Sequence, residues 1–363
     1  MPAAPAAAAE GRSLSLIHTA KLNHPKSQED SEAWEARKTL FERRKRQGLK
    51  VAAYGMSHEA RDTYAEMEGD LLWRAHRQEE CGNYLVLRQA IEGDDNQPRI
   101  HRASLCGLRW TCPFCAAQLG AKKAAHYSAR LAELRLAEDQ RRCYFFTLTV
   151  PNGPDLVETY GKLNDAFKKL HIRYQNAKRR KNGSTFQRIV GQLGQFEIKR
   201  GKDSGWWHPH YHGVFITNGR LDYAEFRQAW ADAVGDEKTW CKVLLLDTEK
   251  RLMTGQRMEL DELRSSLMKD LNEVIKYPHK IDTKRPEDAW FCWSVLGRSR
   301  MTRTWGEVRH KSFEELTDEP IDWDQVAFIE RMLCWSEDRY DEHDLPGTPQ
   351  PFEEFADHQT GTL

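Results

Sequence analysis

The sequence predicts an α+β fold, and three stretches of the chain carry most of that prediction. Residues 143–150, residues 189–199 and the run that follows the histidines of residues 208–212 are rich in β-branched and aromatic side chains. Apolar runs of this kind, bounded by Pro, Gly or Asn, are typical of strands. Amphipathic helical patterns lie between and after them. Strands and helices therefore share one core.

The elements follow in the order strand, helix, strand, strand, helix, strand. The first strand, residues 143–150, is closed by Pro151 and Asn152, and a basic amphipathic helix is expected over 155–181. The next elements are expected as a strand over 189–199, a histidine strand that ends at Asn218, a helix over 221–234, a strand over 242–246 and a helix over 258–276. The short polar turn 201–205 predicts a hairpin between the two middle strands. This order predicts a ferredoxin-like (RRM-like) core with a central antiparallel sheet and flanking helices.

Five regions are expected along the chain. Residues 1–30, rich in Ala and Pro and then polar, are expected to form a disordered leader. The others are a helical, cysteine-rich region over 31–142, the core over 143–285, a core-packing extension over 286–312 and an acidic C-terminal tail over 313–363. The sequence has no signal peptide pattern and no run of eighteen apolar residues, so we expect a cytoplasmic protein without a membrane anchor. Its eight cysteines are then expected to be thiols or metal ligands.

The formal net charge of zero conceals a marked asymmetry. Residues 313–363 hold 15 acidic and two basic residues, whereas 53 basic and 40 acidic residues precede them. A basic body favours a polyanionic partner. Residues 162–188 contain nine Lys or Arg against one Asp, which suits a phosphate backbone, although a solvated helix face is the alternative. The predicted DNA-binding residues are Lys168, Lys169, Arg173, Lys178, Arg179, Arg180 and Lys181.

Three histidines at a spacing of two, His208, His210 and His212, would lie on one face of a strand. Imidazole is a common ligand of transition metals, so His210 and His212 predict part of a divalent metal site. Glu197 on the adjacent strand is the preferred third ligand, and His208 is the alternative. An exposed strand face would give the same pattern without a metal.

A third motif runs from Glu273 to Lys280, with the sequence Glu-Val-Ile-Lys-Tyr-Pro-His-Lys. In a helix, Glu273 and Tyr277 would lie on the same face one turn apart. Pro278 disfavours helical geometry at Tyr277, which places the tyrosine at the end of its helix. The alternative is an ordinary helix end whose tyrosine packs on the core.

These motifs together resemble the HUH endonucleases, and specifically the single-tyrosine rolling-circle replication initiators (Rep proteins) of plasmids. The resemblance rests on Thr-Leu-Thr-x-Pro-Asn over 147–152, the Pro-His-x-His strand with Glu197 upstream, and Glu-x-x-Lys-Tyr-x-x-Lys over 273–280. All three occur in order between residues 143 and 280. A cysteine pattern upstream, with Cys81, Cys106 and the Cys112-x-x-Cys115 knuckle, is similar to the one that precedes the nuclease core in these initiators. Four such thiolates would form a structural zinc site.

The resemblance implies a mechanism and partners. Tyr277 would attack the scissile phosphate to form a 5′-phosphotyrosine and leave a 3′-OH primer, with Mg²⁺ or Mn²⁺ on His210 and His212. Lys280 would position the phosphate, and Glu273 would activate a water for the terminating hydrolysis. The partners would be plasmid origin DNA, as a single strand or an extruded hairpin, and a host helicase and DNA polymerase.

Three other functions would also fit these motifs. A transposase or mobilisation relaxase would use the same chemistry, but the chain lacks the Gly-x-x-x-x-Gly-Lys-Ser/Thr motif of a fused helicase. A non-catalytic, zinc-containing DNA-binding regulator would keep Tyr277 as a structural residue. A metal-dependent phosphoesterase would cleave without a covalent step.

Overall fold

The computed structural model describes residues 28–90, 97–180, 183–237, 239–274, 285–309 and 328–343. Ten helices and a short 3₁₀ turn, Ala65–Met67, lie in these ranges. The helices are α1 Gln28–Gly55, α2 His58–Thr63, α3 Glu68–Glu79, α4 Pro113–Leu136, α5 Leu156–Arg180, α6 Thr185–Arg188, α7 Tyr223–Val234, α8 Asp247–Met253, α9 Leu260–Val274 and α10 Pro286–Leu296. No helix in this part of the chain combines the length and apolar character needed to cross a bilayer.

Nine strands in the described residues form two sheets. They are β1 Tyr84–Ala90, β2 Arg99–Ala103, β3 Arg141–Thr149, β4 Ile189–Arg200, β5 Trp207–Asn218, β6 Cys241–Leu245, β7 Thr302–Gly306, β8 Phe328–Ser336 and β9 Arg339–His343. The larger sheet has the order β6-β3-β5-β4-β7, and the smaller one has the order β2-β1-β8-β9. All pairings in both sheets are antiparallel.

The larger sheet confirms the α+β, ferredoxin-like prediction. The segments β3, α5, β4, β5, α7 and β6 follow one another in the chain, and their four strands pair in the order β6-β3-β5-β4. This is the arrangement expected of a split βαβ fold, in which the first and third strands lie in the middle. Strand β7 adds a fifth strand beside β4, with Gln195 opposite Thr302.

The two faces of the larger sheet are covered by different helices. On one face, Phe146, Phe196 and Tyr211 pack with apolar side chains of α5 and α7. On the other face, Leu193 and Val214 pack with apolar side chains of α4 and α9. Because side chains alternate along a strand, His210 and His212 share the face of Val214 and therefore lie on the side that α4 and α9 cover.

The smaller sheet shows structure in two regions where the sequence did not indicate strands. Strands β1 and β2 lie within the cysteine-rich region, and β8 and β9 lie within the segment expected as an acidic tail. In this sheet β8 pairs with both β1 and β9, and Leu333 and Tyr340 are fully buried.

The described residues divide into two compact units, one comprising 28–40, 84–103 and 328–343, the other comprising 41–83 and 104–309. The first unit contains all four strands of the smaller sheet.

Candidate metal centres

Strands β4 and β5 bring Glu197, His210 and His212 together. Glu197 lies directly opposite His210 in the pairing, and Gln195 lies opposite His212, so all these side chains share one face. The Oε2 atom of Glu197 is 3.2 Å from His210 Nε2 and 3.3 Å from His212 Nε2. A single carboxylate oxygen is thus shared by two imidazoles.

The cluster is shielded from water, and its carboxylate is ionised. His210 and His212 are 5% and 7% exposed. Burial alone would raise the pKa of Glu197, but the hydrogen bond from His210 and the positive charge of the two imidazoles outweigh it and lower the pKa to about 2. At neutral pH, Glu197 therefore offers an anionic oxygen to a cation.

This donor set fits a divalent metal ion. The ligand atoms of the three side chains all lie within 4.8 Å of one another. Ligand atoms that surround one ion at about 2.1 Å lie roughly 3 Å apart, close to the two separations measured here. Two imidazoles and one carboxylate leave further coordination positions open, as a catalytic site requires.

His208 stands apart from this cluster. Its Nδ1 lies 2.5 Å from Asn152 Oδ1, in the segment that follows β3. Burial, then the charges of His210 and Lys199, lower the pKa of His208 to about 4, so the ring is neutral at physiological pH. Of the two third ligands that the sequence left open, the structure brings Glu197 to the imidazole pair.

Tyr211, between the two histidines, and Gly213, after them, have structural roles in the motif. Tyr211 points to the opposite face, where it is fully buried, and its hydroxyl accepts a hydrogen bond of 2.5 Å from Gln192 Nε2. Burial raises the pKa of Tyr211 far above that of a free tyrosine, so this side chain is not a nucleophile. Gly213 follows His212 where β4 passes so closely that a Cβ atom would collide with the Leu193 carbonyl oxygen. The glycine permits the close approach of the two strands that carry the ligands.

The Thr-Leu-Thr motif flanks the histidines on the other side. Strand β3 places Thr147 opposite His212 and Thr149 opposite His210. Thr149 is fixed in turn, because its hydroxyl donates to the Trp240 carbonyl oxygen at 3.0 Å and its own carbonyl accepts from Trp230 Nε1 at 3.0 Å. By itself this motif indicates little, and only the strand register shows that it borders Glu197, His210 and His212.

The four predicted cysteines form a second buried cluster. Cys81 Sγ lies 3.5 Å from Cys115 Sγ and 3.6 Å from Cys112 Sγ, and Cys106 Sγ lies 3.6 Å from Cys115 Sγ. Four sulfurs around a tetrahedral zinc ion, at about 2.3 Å each, are separated by roughly 3.8 Å. The cluster is therefore compatible with a structural zinc module. The irregular spacing between Cys81 and Cys106 arises because the β1–β2 hairpin occupies the chain between them.

The surroundings favour a thiolate at Cys115, whereas burial raises the pKa of Cys112. Cys112 is the N-cap of α4 and Cys115 lies in its first turn, where the helix dipole stabilises negative charge. Hydrogen bonds from the other three thiols, and from the Gly107 backbone N–H, lower the pKa of Cys115. Lys45 is only 2% exposed and donates to the Cys81 carbonyl oxygen at 2.9 Å, which places a positive charge beside the cluster. A tetrathiolate zinc site would carry a net negative charge, which the Lys45 ammonium group would offset.

The segment with the predicted nucleophile lies mostly outside the described residues. Tyr277 and Lys280 are in that segment, and Glu273 is in α9 with a side chain that is not described. The described part of α9 buries Leu263, Leu267 and Leu271 on the sheet face that holds Val214 and the histidines. Helix α9, which leads into the tyrosine motif, therefore packs on the same sheet face as Glu197, His210 and His212.

The predicted DNA-binding residues of α5 lie on the other side of the sheet. Intramolecular contacts engage several of them: Lys168 with Asp165, Arg173 with Asp232, Lys169 with the Ala233 carbonyl and Lys178 with the Gln187 carbonyl. Arg179 and Arg180 are exposed at the end of the helix, and Lys181 lies outside the described residues. The structure does not bring this group together with the metal cluster, and its contact with DNA stays a prediction.

The comparison with protein families agrees with the motifs. A model of the replication protein family (Rep_1) matches residues 97–328, which is more than half of the 363 residues. Comparisons with curated proteins and with solved structures give no match. The matched span contains the Glu197, His210 and His212 cluster and three of the four clustered cysteines. We conclude that the chain belongs to the Rep_1 family of replication proteins, as its resemblance to the initiators of rolling-circle plasmid replication predicted.

Proposed function

We propose that the protein initiates rolling-circle replication of a plasmid by nicking one strand of its double-strand origin. The observation that carries this proposal is the buried cluster of Glu197, His210 and His212 on the sheet face where α9 also packs. In the sequence, α9 leads to Tyr277, and the described part of this helix packs on the sheet face that carries the three ligand side chains.

The nicking step would transfer one phosphodiester bond to the protein. A divalent ion held by Glu197, His210 and His212 would supply polarisation of the scissile phosphate and neutralise developing charge. Tyr277 Oη would form a bond to phosphorus while the bond to the 3′ oxygen breaks, and the tyrosine proton would pass through solvent to that oxygen. The products are a 5′-phosphotyrosine and a free 3′-OH. Lys280 would hold the phosphate by charge during this exchange.

Termination would use water in place of a second tyrosine. Glu273, four residues before Tyr277, would accept a proton from a water molecule that attacks the phosphotyrosine. The bond between phosphorus and Tyr277 Oη then breaks, and the tyrosine regains its proton. This assignment follows the single-tyrosine subgroup that the motif resembles.

The decisive experiment detects the covalent adduct. The protein is incubated with a single-stranded origin oligonucleotide and Mn²⁺ or Mg²⁺ and is then run on a denaturing gel. We expect a slower protein–DNA band that is lost in Tyr277→Phe and kept in the control Tyr223→Phe, which removes a hydroxyl that donates to the Cys241 carbonyl oxygen, outside the cluster of Glu197, His210 and His212. Cleavage without any adduct would indicate a metal-dependent phosphoesterase. Binding without cleavage, over a range of origins, would indicate a non-catalytic regulator.

The role of Glu273 has its own test. We expect Glu273→Ala to make the first nick at the normal rate and then accumulate the adduct, because the second step lacks its base. A time course on the same gel measures both steps. Release of the adduct at the wild-type rate would exclude Glu273 from termination.

The proposed function also implies partners. The origin DNA would be engaged as a single strand or an extruded hairpin, and a helicase and a DNA polymerase of the host would use the free 3′-OH. All of these steps take place in the cytoplasm of a plasmid-bearing cell.

A further inference from the structure

A second site is suggested by a cleft beside the zinc module. Its volume is about 580 Å³, within the range of roughly 300–1,000 Å³ that small-molecule sites occupy. It is lined by the N-terminal part of α3, by the loop over residues 107–111 and by residues 293–298 at the end of α10. The loop connects Cys106 to Cys112, so a bound zinc ion would fix both of its ends.

The polar lining of this cleft is mainly cationic. Three arginines, Arg74, Arg109 and Arg298, face one acid, Asp70. Asp70 is already paired, since its Oδ1 accepts from Arg74 Nε at 2.9 Å. Arg109 and Arg298 are exposed, and neither forms an ion pair within the described part of the chain. Two uncompensated guanidinium groups at one cleft favour an anionic ligand.

Flat aromatic surfaces accompany these charges. The Arg74 guanidinium lies 5.0 Å from the Trp293 ring and 5.7 Å from the Trp73 ring. Trp293 lines the cleft, and Trp73, in the same helix as Arg74, is 47% exposed. Tryptophan faces beside arginine planes form the kind of surface on which nucleic-acid bases stack.

From this combination we propose that the cleft binds a segment of single-stranded DNA, with phosphates on Arg109 and Arg298 and a base against Trp293. The proposal rests on the proposed function, because it adds a second contact for the same DNA. A cleft of about 580 Å³ has room for roughly one or two nucleotides. The zinc module would then hold part of the DNA-binding surface in place.

The first test measures affinity for DNA without any chemistry. A labelled oligothymidylate of twelve nucleotides is titrated with zinc-loaded protein by fluorescence anisotropy, with no Mg²⁺ or Mn²⁺ added. We expect Arg109→Ala/Arg298→Ala to bind about tenfold more weakly. The logarithm of the association constant decreases with the logarithm of the salt concentration, and the steepness of this decrease should be smaller by about 1.4 in the variant. Each of the two lost phosphate contacts on a single strand contributes about 0.7. The control Arg220→Ala/Arg257→Ala removes two exposed arginines outside the cleft and should bind within about twofold of wild type.

The second test locates the DNA without altering the protein. Oligonucleotides that carry 5-iodouracil are irradiated on the wild-type protein, and cross-linked peptides are identified by mass spectrometry. We expect cross-links at Trp293, which lines the cleft. Because it uses the wild-type protein, this measurement still tests whether DNA binds in the cleft if the arginine variant fails to retain zinc.

Three results would overturn the inference. They are unchanged affinity and salt slope in the zinc-loaded double variant, cross-links that map only outside the cleft, and full competition by thymidine monophosphate, which would assign the cleft to a free nucleotide. None of these measurements involves Tyr277 or added Mg²⁺ or Mn²⁺. A protein that forms the covalent adduct but fails these tests keeps the proposed function and loses the cleft as a DNA site.

Discussion

Glu197, His210 and His212 show how much a pattern of individual residues can predict. Because side chains alternate along a strand, the spacing of the histidines predicts that their imidazoles share one face. The short turn after Glu197 predicts that this residue lies on the neighbouring strand. The choice between Glu197 and His208 depended on the register of β4 against β5, which places Glu197 directly opposite His210. Register is set by packing and by bulges, so the sequence left both ligands open.

The first prediction separates these histidines by metal affinity. His212→Ala removes an imidazole from the cluster and should weaken Mn²⁺ binding by at least about tenfold, because even residues that only support a ligand commonly contribute about 10–100-fold. His208→Ala removes a ring that bonds Asn152 instead and should leave the affinity within about twofold. Isothermal titration or the EPR signal of free Mn²⁺ measures both. Equal losses in the two variants would place His208 among the ligands.

Lys123 gives a prediction about pH. Its ammonium group donates to Thr302 Oγ1 at 2.7 Å, and Thr302 donates to Gln195 Oε1 at 3.1 Å, next to His212 in the pairing. Burial, with a smaller contribution from Arg109, lowers the pKa of Lys123 from 10.5 to about 8. Between pH 8 and 10.5 the unfolded chain therefore binds more protons than the folded one at this site, so this group makes stability rise with pH. Below pH 8 both states are protonated, and the cost of burying the charge is constant.

We therefore expect Lys123→Met to be more stable than wild type at pH 7, by at most roughly 3 kcal/mol, from 1.36 kcal/mol for each pKa unit. The difference should shrink as the pH rises from 8 to 10.5. Urea unfolding at pH 7, 9 and 10 measures the free energies. The exposed neighbour Lys122, replaced by Met, is the control and should show no such trend. A pH-independent difference between Lys123→Met and wild type would contradict the burial argument.

At the scale of elements, the ferredoxin-like core was predictable because its signals are local. Apolar alternation and turn residues located β3, α5, β4, β5, α7 and β6 to within a few residues. Strands β1, β2, β8 and β9 were missed. The pairing of β1 with β8 spans more than two hundred residues of chain, and no local pattern encodes it. Helix α8 and strand β7 are short, and their positions depend on the core they join.

Gly213 supports a prediction about the two strands that carry the metal ligands. A Cβ atom in Gly213→Ala would collide with the Leu193 carbonyl oxygen and lie 2.7 Å from the Phe146 ring, so β4 and β5 would have to separate. We expect a loss of about 3 kcal/mol in the free energy of unfolding, together with weaker Mn²⁺ binding. Urea unfolding and titration measure the two effects.

The matched control is Gly161→Ala on α5, where a Cβ atom would meet nothing within 4 Å. There the substitution should stabilise the helix by about 0.5–1 kcal/mol. If both glycines tolerated alanine equally, close strand contact would not be the reason for the glycine after His212.

At the scale of the whole molecule, the chain holds two donor sets of different chemistry. Four cysteines form a soft, closed set that would suit zinc, whereas two imidazoles and a carboxylate form an open set with positions for exchangeable ligands. The first set ties together the end of α3, the chain after β2 and the start of α4. The second lies between strands that are already paired along their length. We therefore expect metal binding to stabilise the fold at the cysteine site but not at the site of Glu197, His210 and His212.

This difference predicts separate consequences for metal ions bound at the two sites. In Cys112→Ser/Cys115→Ser, zinc measured by plasma mass spectrometry should fall from one ion per chain to none, and the melting temperature should drop. Helix α4 keeps its apolar contacts with the larger sheet through Leu131, so amide exchange should increase mainly around Cys81 and residues 104–112. Dialysis against Mg²⁺-free and Mn²⁺-free buffer should leave melting almost unchanged. The control Cys334→Ser should keep its zinc, because that thiol lies outside the cluster. Stoichiometric zinc in the double variant would exclude these ligands, and equal losses of stability on removing either metal would contradict the division of roles between the two sites.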